Sequence, residues 1–149
     1  MKPADPIRFI LENKGHEVWS LPPDASVYDA IKMMSEKQVG ALLVMSNNDL
    51  VGFISERDYA RKVILQGRAS RETLVSEIMS APVITVSPSE TMDECMRIMT
   101  NNRIRHLPVV DHGDVVGIVS IGDLVRWTIS SQEETIHQLH SYIAGAYPG

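Results

Sequence analysis

Residues 18–64 lie on residues 83–129 at a constant offset of 65, with no insertion or deletion. This internal repeat restricts the fold more than any other feature of the chain, because self-similarity at a fixed period marks duplicated structural units. Twelve aligned pairs are identical: Val18/Val83, Pro23/Pro88, Met34/Met99, Leu42/Leu107, Val44/Val109, Asp49/Asp114, Val51/Val116, Gly52/Gly117, Ser55/Ser120, Asp58/Asp123, Arg61/Arg126 and Ile64/Ile129. Others exchange like for like, as in Ser26/Thr91 and Asp29/Glu94. A unit this short exposes its apolar faces when it stands alone, so the two copies are expected to share a core. With aromatics at 5% and apolar residues at 44%, that core must be aliphatic and methionine-rich.

Each copy predicts the same order of elements. Val18 to Leu21 forms a brief strand stopped by Pro22-Pro23. Ser26-Val27-Tyr28-Asp29 and Thr91-Met92-Asp93-Glu94 have the arrangement of a helix-starting capping box. Behind these caps, Val27, Ala30, Ile31 and Met34 match Met92, Cys95, Met96 and Met99, with the i, i+3, i+4, i+7 spacing of one apolar helix face. Two short apolar runs follow, Ala41–Met45 and Leu50–Ile54, separated by turn residues; in the second copy they are Leu107–Val110 and Val115–Val119. A second helix is expected at 56–66 and at 121–130. Each copy thus reads strand, helix, strand, strand, helix, which makes the chain α+β.

Outside the copies, Asp5-Pro6 is expected to open a short helix that Gly15 closes, with Ile7, Ile10 and Leu11 on one face. One helical turn is expected at Val75–Met79, and a last helix after Ser131 carries Ile136, Leu139 and Ile143 on one face. The divisions are an N-terminal arm at 1–17, repeats at 18–66 and 83–130, a linker at 67–82, and a C-terminal helix and tail at 131–149.

The net charge of −5 argues against general nucleic-acid binding, which needs a surplus of Lys and Arg. No apolar run approaches a membrane span of roughly 20 residues and no secretory h-region is present, so no membrane association is expected. The single Cys95 aligns with Ala30 on an apolar helix face; it reads as a core residue and suits the reducing cytoplasm. His137 and His140 lie three apart without a third metal ligand, and no Walker glycine loop or nucleophile elbow is present. No enzyme, catalytic cofactor or metal site is expected.

The paired stretches Gly52-Phe53-Ile54-Ser55-Glu56-Arg57-Asp58 and Gly117-Ile118-Val119-Ser120-Ile121-Gly122-Asp123 admit two readings. Ser-x-x-Asp can do no more than cap a helix. Alternatively, a serine at a strand-to-helix junction suits a phosphate, the aspartate accepts from a ribose diol, and Arg57 and Arg105 fit phosphate oxygens. Serine, aspartate and arginine together suggest a ribonucleotide.

Ile54-Ser55-Glu56-Arg57-Asp58-Tyr59 and Arg103-Ile104-Arg105-His106-Leu107-Pro108-Val109-Val110-Asp111 resemble tandem CBS domains, which pair into a Bateman module, particularly the small stand-alone bacterial proteins. The resemblance implies two βαββα repeats packed sheet to sheet about a pseudo-twofold axis, leaving two ligand clefts between them. Adenine would lie at Val39, Gly40 and Ala41 in one copy and at Ile104, Arg105 and His106 in the other, closed by Leu21 and Val86. Asp58 and Asp123 would take ribose hydroxyls. Ser55 and Ser120 would reach phosphate, helped by Arg57, Arg105 and His106, with Gly122 standing where the first copy has Arg57. The family's ligands include AMP, ADP, ATP, NAD(H) and S-adenosylmethionine, and the basic residues favour a phosphorylated one. The resemblance further implies a homodimer and a regulatory, sensing role exerted on a separate effector protein. The alternative is an interaction protein that docks to a redox or metabolic enzyme and does not depend on its ligand clefts.

Overall fold

The computed structural model describes residues 4–129, so the expected C-terminal helix, with His137 and His140, lies outside the described residues. Two units are present. One comprises residues 17–85, the first repeat with the linker. The other joins residues 4–16 to the second repeat from Val86 onward.

The first unit begins with β1 (Ser20–Leu21), followed by α2 (Val27–Lys37), β2 (Ala41–Ser46), β3 (Asp49–Ser55) and α3 (Glu56–Tyr59), whereas α1 (Arg8–Lys14) belongs to the other unit. The strands form one sheet in the order β1-β2-β3, with β1 parallel and β3 antiparallel to β2. Ser26 caps α2, its hydroxyl accepting the Asp29 N–H at 3.1 Å. The hairpin turns on Asn47 and Asn48, both at positive φ (51° and 68°), a two-residue loop whose twist matches that of the strands. The helix expected at 56–66 differs: after Tyr59 it continues as a π-helical turn, Ala60–Ile64. The linker supplies α4 (Val75–Ile78), as expected, and its Val75 and Ile78 are buried with Val27, Ala30, Met34, Leu42, Val44 and Ile54.

The second unit contains α1 (Arg8–Lys14), α5 (Met92–Asn102), β4 (His106–Asp111), β5 (Asp114–Ser120) and a helix α6 at 121–129. Thr91 caps α5 through the Glu94 N–H, and the β4–β5 hairpin turns on His112 and Gly113 at φ 50° and 85°. A bulge falls at Val109/Val110, matching one at Val44/Met45. The opening strand of the second copy shrinks to a single bridge, Val86 to Val109.

Each repeat completes its core with an arm. Helix α4 packs on the repeat that precedes it, whereas α1 packs on the second repeat. Ile7 N donates to Glu90 O at 2.9 Å and Arg8 N to Pro88 O at 3.0 Å; Val75 N donates to Ala25 O at 2.8 Å and Ser76 N to Pro23 O at 2.9 Å. Glu90 and Pro88 are the repeat partners of Ala25 and Pro23, so the two arms dock identically. Asp5-Pro6 does not cap α1, which starts two residues later: Asp5 O accepts the Met92 N–H at 3.0 Å and Pro6 bridges Thr91. Gly15 ends the helix at φ 97°, as expected. Each unit has its own buried cluster, and Ile7, Ile10 and Leu11 close the second repeat as Val75 and Ile78 close the first. The duplicated glycines register this docking. A Cβ on Gly117 would stand 2.7 Å from Leu11 Cδ2, and one on Gly52 would stand 2.9 Å from Met79 Cγ.

Candidate functional site

Both Ser-x-x-Asp stretches form complete capping boxes at the junction between hairpin and helix. Ser55 Oγ accepts the Asp58 N–H at 3.2 Å while Asp58 Oδ2 accepts the Ser55 N–H at 3.0 Å. Ser120 and Asp123 repeat this at 3.1 and 2.9 Å. The cap therefore exists in both copies, and any ligand must use the acceptor capacity that capping leaves.

The hairpin register brings further predicted residues to these boxes. Ala41 pairs with Ser55, and Glu56 N donates to Gly40 O at 3.0 Å; His106 pairs with Ser120, and Ile121 N donates to Arg105 O at 2.8 Å. Gly40, Ala41, Ser55 and Asp58 thus converge in one unit, and Arg105, His106, Ser120 and Asp123 in the other. Arg57 and Gly122 follow their serines by two residues. Val39 packs partly buried against the first core and Ile104 against the second. Leu21 and Val86 are buried and pair with Val44 and Val109, three residues along from Ala41 and His106. At about 3.3 Å per residue this sets them roughly 10 Å from the motif end of each strand.

The two aspartates differ in their counter-ions. Lys62, four residues after Asp58, approaches its Oδ1 at 3.3 Å and donates to the α4 carbonyl of Ile78 at 2.9 Å. Trp127 occupies the matching place in the second copy. There the ammonium comes from the N-terminal arm: Lys14 Nζ lies 2.7 Å from Asp123 Oδ2 and 3.0 Å from Ile118 O. Arg126, folded over Gly122, donates to Asp123 Oδ1 at 2.7 Å. Asp123 is 7% exposed, the only buried ionisable side chain apart from Cys95 among the described residues. Burial raises its pKa, but the Lys14 ammonium and the Ser120 N–H more than offset this and hold the carboxyl below its ordinary value. His106 is also held below its ordinary value, by burial first, with Lys14 and Arg105 adding to the effect and Asp123 opposing it.

Ile10, Asn13, Lys14, Asp123, Arg126 and Trp127 line an open pocket of about 200 Å³. Lys14, Lys62 and Arg126 were not among the residues expected at the site. Lys62 and Arg126 are legible as i, i+4 and i, i+3 partners of the aspartates, whereas nothing local connects Lys14 to a residue 109 positions away.

Among the described residues, no three His, Cys, Asp or Glu side chains cluster to hold a metal, and no helix is long and apolar enough to cross a membrane. The CBS-domain family model matches residues 15–64 and 75–130. The chain is 44% identical to the CBS domain-containing protein CBSX3, mitochondrial, of Arabidopsis thaliana, over 95% of this chain and 73% of that protein. The structure of a putative signal-transduction protein with CBS domains from Burkholderia ambifaria superposes with a TM-score of 0.83 at 50% identity, covering 85% of this chain and 96% of that one. The CBS domain pair of protein MJ0100, solved with 5′-methylthioadenosine and S-adenosyl-L-methionine, superposes with a TM-score of 0.76 at 27% identity, covering 87% and 99% of the two chains.

Proposed function

We propose that this chain, which belongs to the CBS-domain family, is a regulatory module that binds an adenine nucleotide at its paired Ser-x-x-Asp motifs and signals occupancy to a separate effector protein. The observation that carries this reading is the same convergence in two copies: a serine and an aspartate on a helix start, beside the residues that open the neighbouring hairpin strand. AMP, ADP, ATP and NAD(H) are the candidate ligands. The MJ0100 complex supports adenosyl chemistry in a related pair. An enzymatic role is not proposed: Cys95 is buried and its thiol is pushed up to about 12, so it stays protonated. A reducing compartment such as the cytoplasm suits this thiol.

Exposed Ile64, Leu65, Val125 and Ile129 on the helices after the motifs suit self-association into a homodimer. Light scattering at micromolar concentration should give twice the chain mass, and a stable monomer would remove that part of the reading.

A second reading is favoured by one observation: both aspartates are already capped and ion-paired, so the fold does not need a ligand. On it the chain acts by docking to a protein partner. Calorimetric titration of nucleotide-stripped protein with AMP, ATP and NADH separates the two. Binding that Asp58→Ala and Asp123→Ala each reduce by one site supports sensing; no heat from any of the three moves the assignment to protein docking.

A further inference from the structure

The two copies solve the same electrostatic problem with different residues. Where Asp58 has Lys62 on its own helix, Asp123 has Trp127 in that position and draws Lys14 from the N-terminal arm instead. With Arg126 on the other oxygen, Asp123 meets two cations at 2.7 Å each. The carboxylate is buried, at 6% side-chain exposure, while Lys14 and Arg126 are 36% and 73% exposed. The cations are therefore the solvent-facing members of the cluster, and all three residues border the open pocket. Lys14 carries a compact charge on a flexible stem, so it can move a few ångströms without being taken out of water.

A ribose diol needs the carboxylate oxygens that these cations occupy. A ligand with an adenosyl group alone would replace the ion pairs at Asp123 with hydrogen bonds from uncharged hydroxyls and would leave the displaced ammonium without an anion. A ligand that also carries phosphate offers the displaced ammonium a new anion within the same pocket. We propose that Lys14 makes the Asp123 site selective for phosphorylated adenosine compounds over unphosphorylated or cationic ones, by moving from the aspartate to the phosphate when such a ligand binds. This rests on the nucleotide-binding reading given above and narrows its ligand class for one of the two sites.

The selectivity has a sign that a purely structural lysine does not produce. Removing the ammonium frees the carboxylate for a diol and deprives the phosphate of a partner, so the two ligand classes respond in opposite directions. The test follows Trp127, which lines the pocket, by fluorescence in the full chain carrying Trp19→Phe. Stripped protein is titrated with ADP and with 5′-methylthioadenosine, before and after Lys14→Met. In the parent, ADP should bind at least about tenfold more tightly. Lys14→Met should weaken ADP about tenfold and strengthen methylthioadenosine severalfold, and Lys14→Arg, which keeps the charge, should retain the ADP preference. Lys14→Gln provides the same comparison if Lys14→Met fails to fold. An unchanged ratio of the two affinities in the neutral variants overturns the assignment while leaving nucleotide binding intact. If neither ligand binds the parent, the nucleotide reading itself falls and the selectivity with it.

Discussion

Truncating Leu11 tests which repeat the N-terminal arm closes. Leu11 is 1% exposed and packs among Met92, Met99, Leu107 and Val119 of the second repeat, although it lies next to the first in sequence. Leu→Ala at a buried site removes transfer free energy and leaves a cavity, together about 2–5 kcal/mol. The arm is a single short helix held on one face, so partial collapse is expected and about 3 kcal/mol is a reasonable centre. With an m-value of about 1.5 kcal/mol/M in urea, the midpoint should fall by about 2 M. The chain contains its own local reporters: Trp127 packs against the second-repeat cluster and Trp19 against the first. Urea melts of Leu11→Ala in Trp19→Phe and Trp127→Phe backgrounds should show the larger shift for the Trp127 signal. Ile78→Ala, on α4 at 1% exposure and the counterpart of Ile10, should show the larger shift for Trp19. If Leu11→Ala moves the Trp127 midpoint by less than about 0.3 M, or moves Trp19 further than Trp127, the arm does not close the second repeat.

Gly117→Ala drives a methyl to 2.7 Å from Leu11 Cδ2, inside a packed cluster, and overpacking of this kind should lower stability by about 1–3 kcal/mol, read as a thermal shift. Pairing it with Leu11→Ala should recover part of the loss, and strictly additive losses would show that the two do not meet. Acid should weaken the Lys14–Asp123 pair. The folded carboxyl lies below its ordinary value, so the stabilisation is fully present above the unfolded pKa of about 3.9 and is lost as pH falls through the lower folded value. Because Lys14 is 36% exposed, solvent screening limits the pair to about 1 kcal/mol. The urea midpoint gap between wild type and Lys14→Met should therefore be clear at pH 6 and narrow as pH falls below about 4, and a gap that does not narrow would mean that the ion pair is not its source.

What the sequence by itself determined is what short-range physics controls. The duplication, the caps at Ser26, Thr91, Ser55 and Ser120, the apolar faces of α2 and α5 and both hairpins are settled within a few residues by backbone hydrogen bonding and side-chain periodicity. The convergence of serine and aspartate followed from the same local rules. The π turn after Tyr59 and the loss of the second opening strand departed from the repeat, and neither has a local signal. The arms were legible as helices but not as equivalents. Pro6-Ile7-Arg8-Phe9-Ile10-Leu11 corresponds to Leu74-Val75-Ser76-Glu77-Ile78-Met79 at an offset of 68, so a comparison held at 65 passes over it. Only the tertiary structure decided which repeat each arm closes and which cation meets each aspartate. Hydrophobic burial is non-directional, and either arm presents an apolar face that either repeat could cover. Lys14 reaches Asp123 because a helix grown from one end of the chain ends on a sheet formed near the other, a proximity that no spacing along the sequence encodes.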